Sequence, residues 1–136
     1  MVAHAKFPAK ILTPEGEVFN GEVEMVSTRT TLGLIGIMAK HAPLLATLEP
    51  TELKLYKSEN EIVRYAQSEG YVQVGGNQAL LLVEEVVPVE KLDAEKLRER
   101  VRLADLEIAA AAEGSESRRM AVRDKRRSEV FLSLAK

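Results

Sequence analysis

No cysteine occurs among the 136 residues. That excludes disulfides, thiolate zinc sites and cysteine nucleophiles, and it fits a reducing compartment. Tryptophan is also absent, and three Phe with three Tyr are too few for a platform that stacks single-stranded nucleic acid. The two histidines, His4 and His41, have no third ligand at metal-binding spacing, so no metal site is expected. No apolar run approaches the roughly 20 residues that cross a bilayer. The start, Met1-Val2-Ala3-His4-Ala5-Lys6, has no long apolar stretch after a basic beginning, so no secretory signal is expected. Catalytic signatures are missing as well. Gly33-Leu34-Ile35-Gly36 is not a phosphate loop, because no Lys-Ser or Lys-Thr follows it, and there is no G-x-S-x-G elbow. The carboxylates are scattered and do not suggest a glycosidase pair. The chain is not expected to be an enzyme.

What is present divides at Pro88. Up to residue 87, short runs such as Ala9–Leu12, Val23–Val26, Leu53–Tyr56, Ile62–Tyr65, Tyr71–Val74 and Leu80–Val83 are separated by Gly, Pro, Asn and Ser. Many short strands between turn residues indicate an antiparallel sandwich or barrel. Ser27–Thr31 reads as a polar stretch after a strand. Leu80–Val83 does not alternate, so it reads as a strand covered on both sides.

Beyond Pro88, helix formers dominate. Asp93 is placed to cap a helix with Glu95 in its first turn. Leu97, Val101, Ala104, Ile108 and Ala111 recur at helical spacing on one face. Gly114 reads as the stop of that helix, and Ser115 or Ser117 as the cap of a second one running toward Lys136. So short a connection makes the helices antiparallel neighbours. The second helix has no apolar residue from Arg123 to Glu129. Its seam is therefore expected to dock only marginally, leaving it mobile or completed by another protein. The expected class is α+β: an N-terminal antiparallel sandwich or barrel, residues 1–87, and a C-terminal antiparallel helical hairpin, residues 88–136.

Charge is unevenly spread. Residues 1–87 carry 7 basic and 11 acidic side chains, while residues 115–136 carry 7 basic and 3 acidic. A basic tail on an acidic body suggests an acidic partner for the tail.

The segment Gly33-Leu34-Ile35-Gly36-Ile37-Met38-Ala39-Lys40-His41-Ala42-Pro43-Leu44-Leu45-Ala46-Thr47-Leu48-Glu49-Pro50 closely resembles the signature of F-type ATP synthase epsilon subunits. That signature is a Gly-x-x-Gly-Ile stretch, then His-Ala-Pro-Leu-Leu, then a Leu-x-Pro turn. Leu12–Gly16, Val23–Thr28 and Ser68–Val74 look like the family's flanking strands. The resemblance spans essentially the whole chain. In physical terms, Gly33 and Gly36 would permit bulges or tight bends, Pro43 would fix one φ, and Leu44, Leu45 and Leu48 would enter the core. His41 reads as a buried hydrogen-bonding residue that pins the loop.

The resemblance implies a non-catalytic central-stalk (rotor) subunit. Its N-terminal antiparallel β-sandwich, of about ten strands, would bind the gamma shaft and sit on the c-ring. Its mobile hairpin would reach the beta (and alpha) subunits and restrain ATP hydrolysis, while rotation couples proton flow to ATP synthesis. It also implies a peripheral protein on the cytoplasmic face of the cell inner membrane. Leu34 stands where many relatives carry a carboxylate near the c-ring, so that contact is expected to be apolar. Arg118, Arg119, Arg123, Lys125, Arg126 and Arg127 are the candidate contacts to the beta subunits. Some relatives bind ATP through Ile/Leu-Asp-x-x-Arg-Ala. Here Leu92-Asp93-Ala94-Glu95-Lys96-Leu97 keeps the first two residues and loses the last two, and Lys does not replace the Arg fork. Asp93 and Lys96 remain the candidate nucleotide residues, with little or no ATP binding expected and no cofactor. The rival reading is a free-standing soluble binding module with a basic helical tail. Residues 118–127 carry six basic side chains and one acid, but the acidic body speaks against nucleic acid.

Overall fold

The structure, a computed structural model, describes residues 4–135; Met1–Ala3 and Lys136 lie outside the described residues. The chain forms two compact units, Met1–Val87 and Pro88–Lys136.

The first unit runs β1 (Phe7–Thr13), β2 (Gly16–Val23), β3 (Met25–Thr30), β4 (Gly33–Met38), β5 (Leu44–Leu48), β6 (Thr51–Ser58), β7 (Glu61–Gln67), β8 (Gly70–Gly75), β9 (Gln78–Val83) and β10 (Val86–Pro88). One layer is the ladder β10-β7-β6-β3 with β4 on the other edge of β3; the second layer is β5-β8-β9-β1-β2. A single bridging pair, Thr30 with Leu48, joins the two ladders. The expected sandwich of about ten strands is therefore present. β1 and β9 depart from antiparallel pairing: Ala9 to Leu12 run alongside Ala79 to Leu82 in the same direction.

The core is built by period-two alternation. Phe7, Ala9 and Ile11 of β1, Leu53 and Leu55 of β6, Val72 and Val74 of β8, and Ala79, Leu81 and Val83 of β9 all point inward. Each large apolar side chain removed from water contributes about 1.5–3 kcal/mol. β9 alternates too. Leu82 is exposed, so this strand is not covered on both sides as its run of leucines suggested. The polar stretch Ser27–Thr30 belongs to β3 rather than to a loop, and its inward positions Val26, Thr28 and Thr30 are all buried. Thr28 can sit there because its hydroxyl donates to Gln67 Oε1 at 2.6 Å, and Gln67 Nε2 donates to the Glu49 carbonyl at 2.9 Å.

The β8–β9 turn and the start of β8 each depend on a glycine. Gly76 and Asn77 both have positive φ, 58° and 59°, the two-residue geometry whose twist matches that of a β-hairpin. Gly70 is needed for a different reason: a Cβ there would lie 2.0 Å from the Leu82 carbonyl oxygen.

The second unit opens with a 3-10 turn at Val89–Lys91, followed by α1 (Ala94–Ala110) and α2 (Glu116–Leu134). Asp93 Oδ1 accepts from the Glu95 and Lys96 amides at 3.0 and 3.2 Å, and Ser115 Oγ accepts from the Arg118 amide. α1 ends earlier than Gly114 suggested. Ala111 is already extended, with its amide still bonded to the Glu107 carbonyl, and Gly114, at φ 77°, lies in the connection. The apolar face of α1 is as expected: Leu97 and Ala104 are buried, and Val101, Ile108 and Ala111 are half-buried.

Polar groups span the apolar gap in α2. Arg100 Nη2 meets Asp124 Oδ1 at 2.8 Å, Lys125 Nζ meets Asp105 Oδ1 at 2.7 Å, and Arg118 Nη1 donates to the Ile108 carbonyl at 2.8 Å. Ser128 is fully buried, between the ion-paired turns and buried Phe131. The seam is thus continuous, and the expected break is bridged by charge.

Candidate functional site

The chemistry of this chain lies on its surfaces. Among the described residues no group of three or more His, Asp or Glu could hold a metal ion.

The first surface is the β3–β4 hairpin tip. Thr30 Oγ1 accepts from the Leu32 amide and donates to the Gly33 carbonyl, which closes the turn. Gly33 takes a φ of 123°, closed to most side chains. Leu32 is thereby pushed out to 97 % exposure, and Leu34 to 72 %. Leu34 pairs across the hairpin with Arg29. Gly36 does not play the part given to it by the sequence. It pairs with Ser27 in unbroken register, without positive φ or bulge.

The segment that follows is held by a residue the sequence reading overlooked. Lys40 has a φ of 62°, and its amide donates to Asn77 Oδ1 at 2.7 Å, tying this loop to the β8–β9 turn. His41 is half-buried rather than buried. Its amide donates to the Met38 carbonyl, and its Nδ1 lies 2.7 Å from the Ala42 carbonyl, so its bonds are local. Pro43 is exposed and leads into β5. In β5, alternation decides what hydrophobicity alone did not. Leu48 is buried and Leu44 packs on the core, but Leu45 is 74 % exposed. It belongs to a second surface: Leu45 on β5, Tyr71 on β8 and Leu82 on β9 all project from the outer face of one ladder. Tyr71 and Leu82 are direct cross-strand partners. No sequence feature marked this patch beyond the strand period itself.

The third surface is the hairpin. Of the six cations predicted to meet a partner, Arg118 and Lys125 reach across to α1. Arg119 stays on its own turn, donating to the Gly114 carbonyl and pairing with Glu116. Arg123 and Arg126 are exposed, and Arg127 is half-buried. The hydrogen bond and charge of Asp105, with a smaller contribution from Glu129, raise the Lys125 ammonium above its ordinary value. On α1, Arg102 grips Glu99 through two hydrogen bonds and holds that carboxyl below its ordinary value. Asp93 is occupied as a helix cap, and Lys96 is exposed beside it. Leu103, Leu106, Met120 and Val122 are exposed apolar residues on the same two helices.

Residues 6–89, the sandwich just described, match the family of the ATP synthase Delta/Epsilon chain β-sandwich domain. The chain belongs to the ATP synthase epsilon chain family. Membership makes it a component of an enzyme complex and bears out the resemblance carried by the Gly33–Pro50 segment. The likeness extends through the helices: the chain is 34 % identical to the ATP synthase epsilon chain of Persephonella marina over 134 residues, 95 % of this chain and 96 % of that one. It is 33 % identical over 100 residues to the sodium ion specific ATP synthase epsilon chain of Propionigenium modestum, covering 74 % and 72 %. In fold it is similar to a chain of the Euglena gracilis mitochondrial ATP synthase OSCP/F1/c-ring structure, with a TM-score of 0.79 at 20 % identity, covering 98 % and 83 %. A chain of the Tetrahymena thermophila central stalk/c-ring structure gives 0.61 at 17 %.

Proposed function

We propose that this epsilon-family chain is a non-catalytic central-stalk subunit whose sandwich joins the gamma shaft to the c-ring and whose hairpin restrains ATP hydrolysis. The observation that carries the reading is the family match over residues 6–89, extended by the relative aligned over 95 % of the chain. The exposed leucines and Tyr71 on the sandwich supply apolar surface of the kind that partner subunits cover. Leu32 and Leu34 are the proposed c-ring contact, apolar where a charged one would otherwise be expected. The cations of α2 are the proposed contact to an acidic surface of the beta subunits. Among the described residues no helix is long and apolar enough to cross a membrane, and attachment at the cytoplasmic face runs through the complex. The coupled ion is proposed to be the proton.

Affinity capture of the chain from detergent-solubilised membranes tests this reading. Gamma, beta and c subunits should co-purify, and Leu32→Asp with Leu34→Asp should loosen the c-ring while sparing gamma. Recovery of nucleic acid instead would favour a free-standing binding module. Deleting residues 115–136 should raise ATP hydrolysis by the assembled enzyme, with synthesis largely intact; equal hydrolysis over a range of ATP and salt would remove the inhibitory role. Little or no ATP binding is expected at Asp93 and Lys96, and calorimetry showing micromolar affinity would contradict that.

A further inference from the structure

Lys125 points at the proposed partner in sequence terms, yet in the hairpin it is already engaged. Its ammonium lies 2.7 Å from Asp105 Oδ1 on the facing helix. Asp105 caps nothing, and its side chain is 52 % exposed. An ammonium has three donors, so Lys125 could in principle hold two carboxylates. Viewed from several ångströms away, however, the pair is neutral, and a screened external acid feels little of it. Arg118 is restrained alongside: its guanidinium donates to the Ile108 carbonyl on α1.

We infer that Asp105 is an internal competitor, an acidic side chain on α1 that occupies Lys125 and lowers the affinity of α2 for an acidic partner surface while the hairpin is closed. The inference rests on the proposed partner-facing role of α2 and adds a control to it. An acidic partner must share Lys125 with Asp105 or displace it. One exposed pair carries a modest energy, so the control is a bias of a few-fold and not a lock. It is also graded: salt weakens the internal pair and the external one together, whereas removing the Asp105 charge affects only the internal pair.

The experiment uses the full chain and poly-L-glutamate as the acidic probe, with affinity measured by calorimetry at low salt. Asp105→Asn should tighten binding by about two- to fivefold, the range that corresponds to a single exposed pair. Two controls separate competition from bulk charge. Glu107→Gln removes one negative charge from the same helix and should tighten binding less. Asp105→Glu keeps the competitor and should behave as the parent. A double-mutant cycle gives the decisive readout: in a Lys125→Gln background, Asp105→Asn should lose its extra effect. If Asp105→Asn does no more than Glu107→Gln, or keeps its full effect without Lys125, Asp105 is not a competitor. A second arm places Asp105→Asn in the assembled enzyme, where ATP hydrolysis should fall below that of the parent. Tighter poly-L-glutamate binding with unchanged hydrolysis would uphold the competitor and overturn the inhibitory reading of the hairpin.

Discussion

The Thr28 hydroxyl donates to Gln67 Oε1 at 2.6 Å inside the sandwich, joining β3 to β7 across β6, and both residues are fully buried. Gln67 passes the connection on to the Glu49 carbonyl at the β5–β6 turn. Thr28→Val should therefore cost about 1–3 kcal/mol, because it strands a buried amide oxygen. Thr28→Val with Gln67→Leu should cost less than the two single changes summed. Denaturant midpoints for the four proteins measure this; strict additivity would mean the bond couples nothing.

Two glycines of the sandwich should respond oppositely to alanine. At Gly70 a Cβ would sit 2.0 Å from the Leu82 carbonyl oxygen, and the backbone must shift at a cost of about 3 kcal/mol. At Gly36 the nearest atom is Met25 Sδ at 3.5 Å, an ordinary contact. Gly36→Ala should thus be neutral or stabilising by about 0.5–1 kcal/mol. Thermal melts of both variants decide it, and equal losses would contradict the assignment of close approach to Gly70 alone.

Ser128 is fully buried on α2, and its hydroxyl has no hydrogen-bond partner among the described residues. An unmet buried donor is unfavourable by about 1–3 kcal/mol. Ser128→Ala should accordingly slow amide exchange along α2 and raise the hairpin's melting temperature. Faster exchange would show that the hydroxyl does find a partner in solution.

Hairpin stability should be flat through neutral pH. Lys125 has its pKa raised above the ordinary 10.5 by Asp105. Its contribution is fully present below that value and lost as pH climbs through the higher folded value. Glu99 has its pKa lowered below 4.5 by Arg102. Its contribution is present above 4.5 and lost as pH falls through the lower folded value. Helicity followed by circular dichroism should decline only at these two extremes. A transition between pH 6 and 8 would point to a group other than these two.

Much of the sandwich was legible because β6 and β8 alternate openly, as Leu53-Lys54-Leu55 and Val72-Gln73-Val74 show. The family was legible in one loop, Gly33–Pro50. What escaped has a common physical cause. Thr28 and Thr30 read as a polar stretch after a strand, yet both are buried strand residues, Thr28 bonded to Gln67 and Thr30 closing the turn to Gly33. Leu44 and Leu45 are equally apolar, yet adjacent strand residues face opposite sides, and one had to be exposed. The hairpin seam looked broken because Arg100, Asp105, Asp124 and Lys125 pair between helices, which no single-helix pattern records. Lys40 and Asn77 meet only through the fold.

The parallel pairing of β1 with β9 constrains how the sandwich comes into being. β1 lies between β2 and β9, so its second edge has nothing to bond until Ala79 to Leu82 have left the ribosome. The β1–β2 hairpin can form early, but it must wait beside an open edge while β3 to β8 are made. Closing so long a loop is entropically slow. The β1–β9 seam therefore closes late, and the nascent chain carries an unpaired edge of Ala9, Lys10, Ile11 and Leu12 until almost the whole first unit has been synthesised.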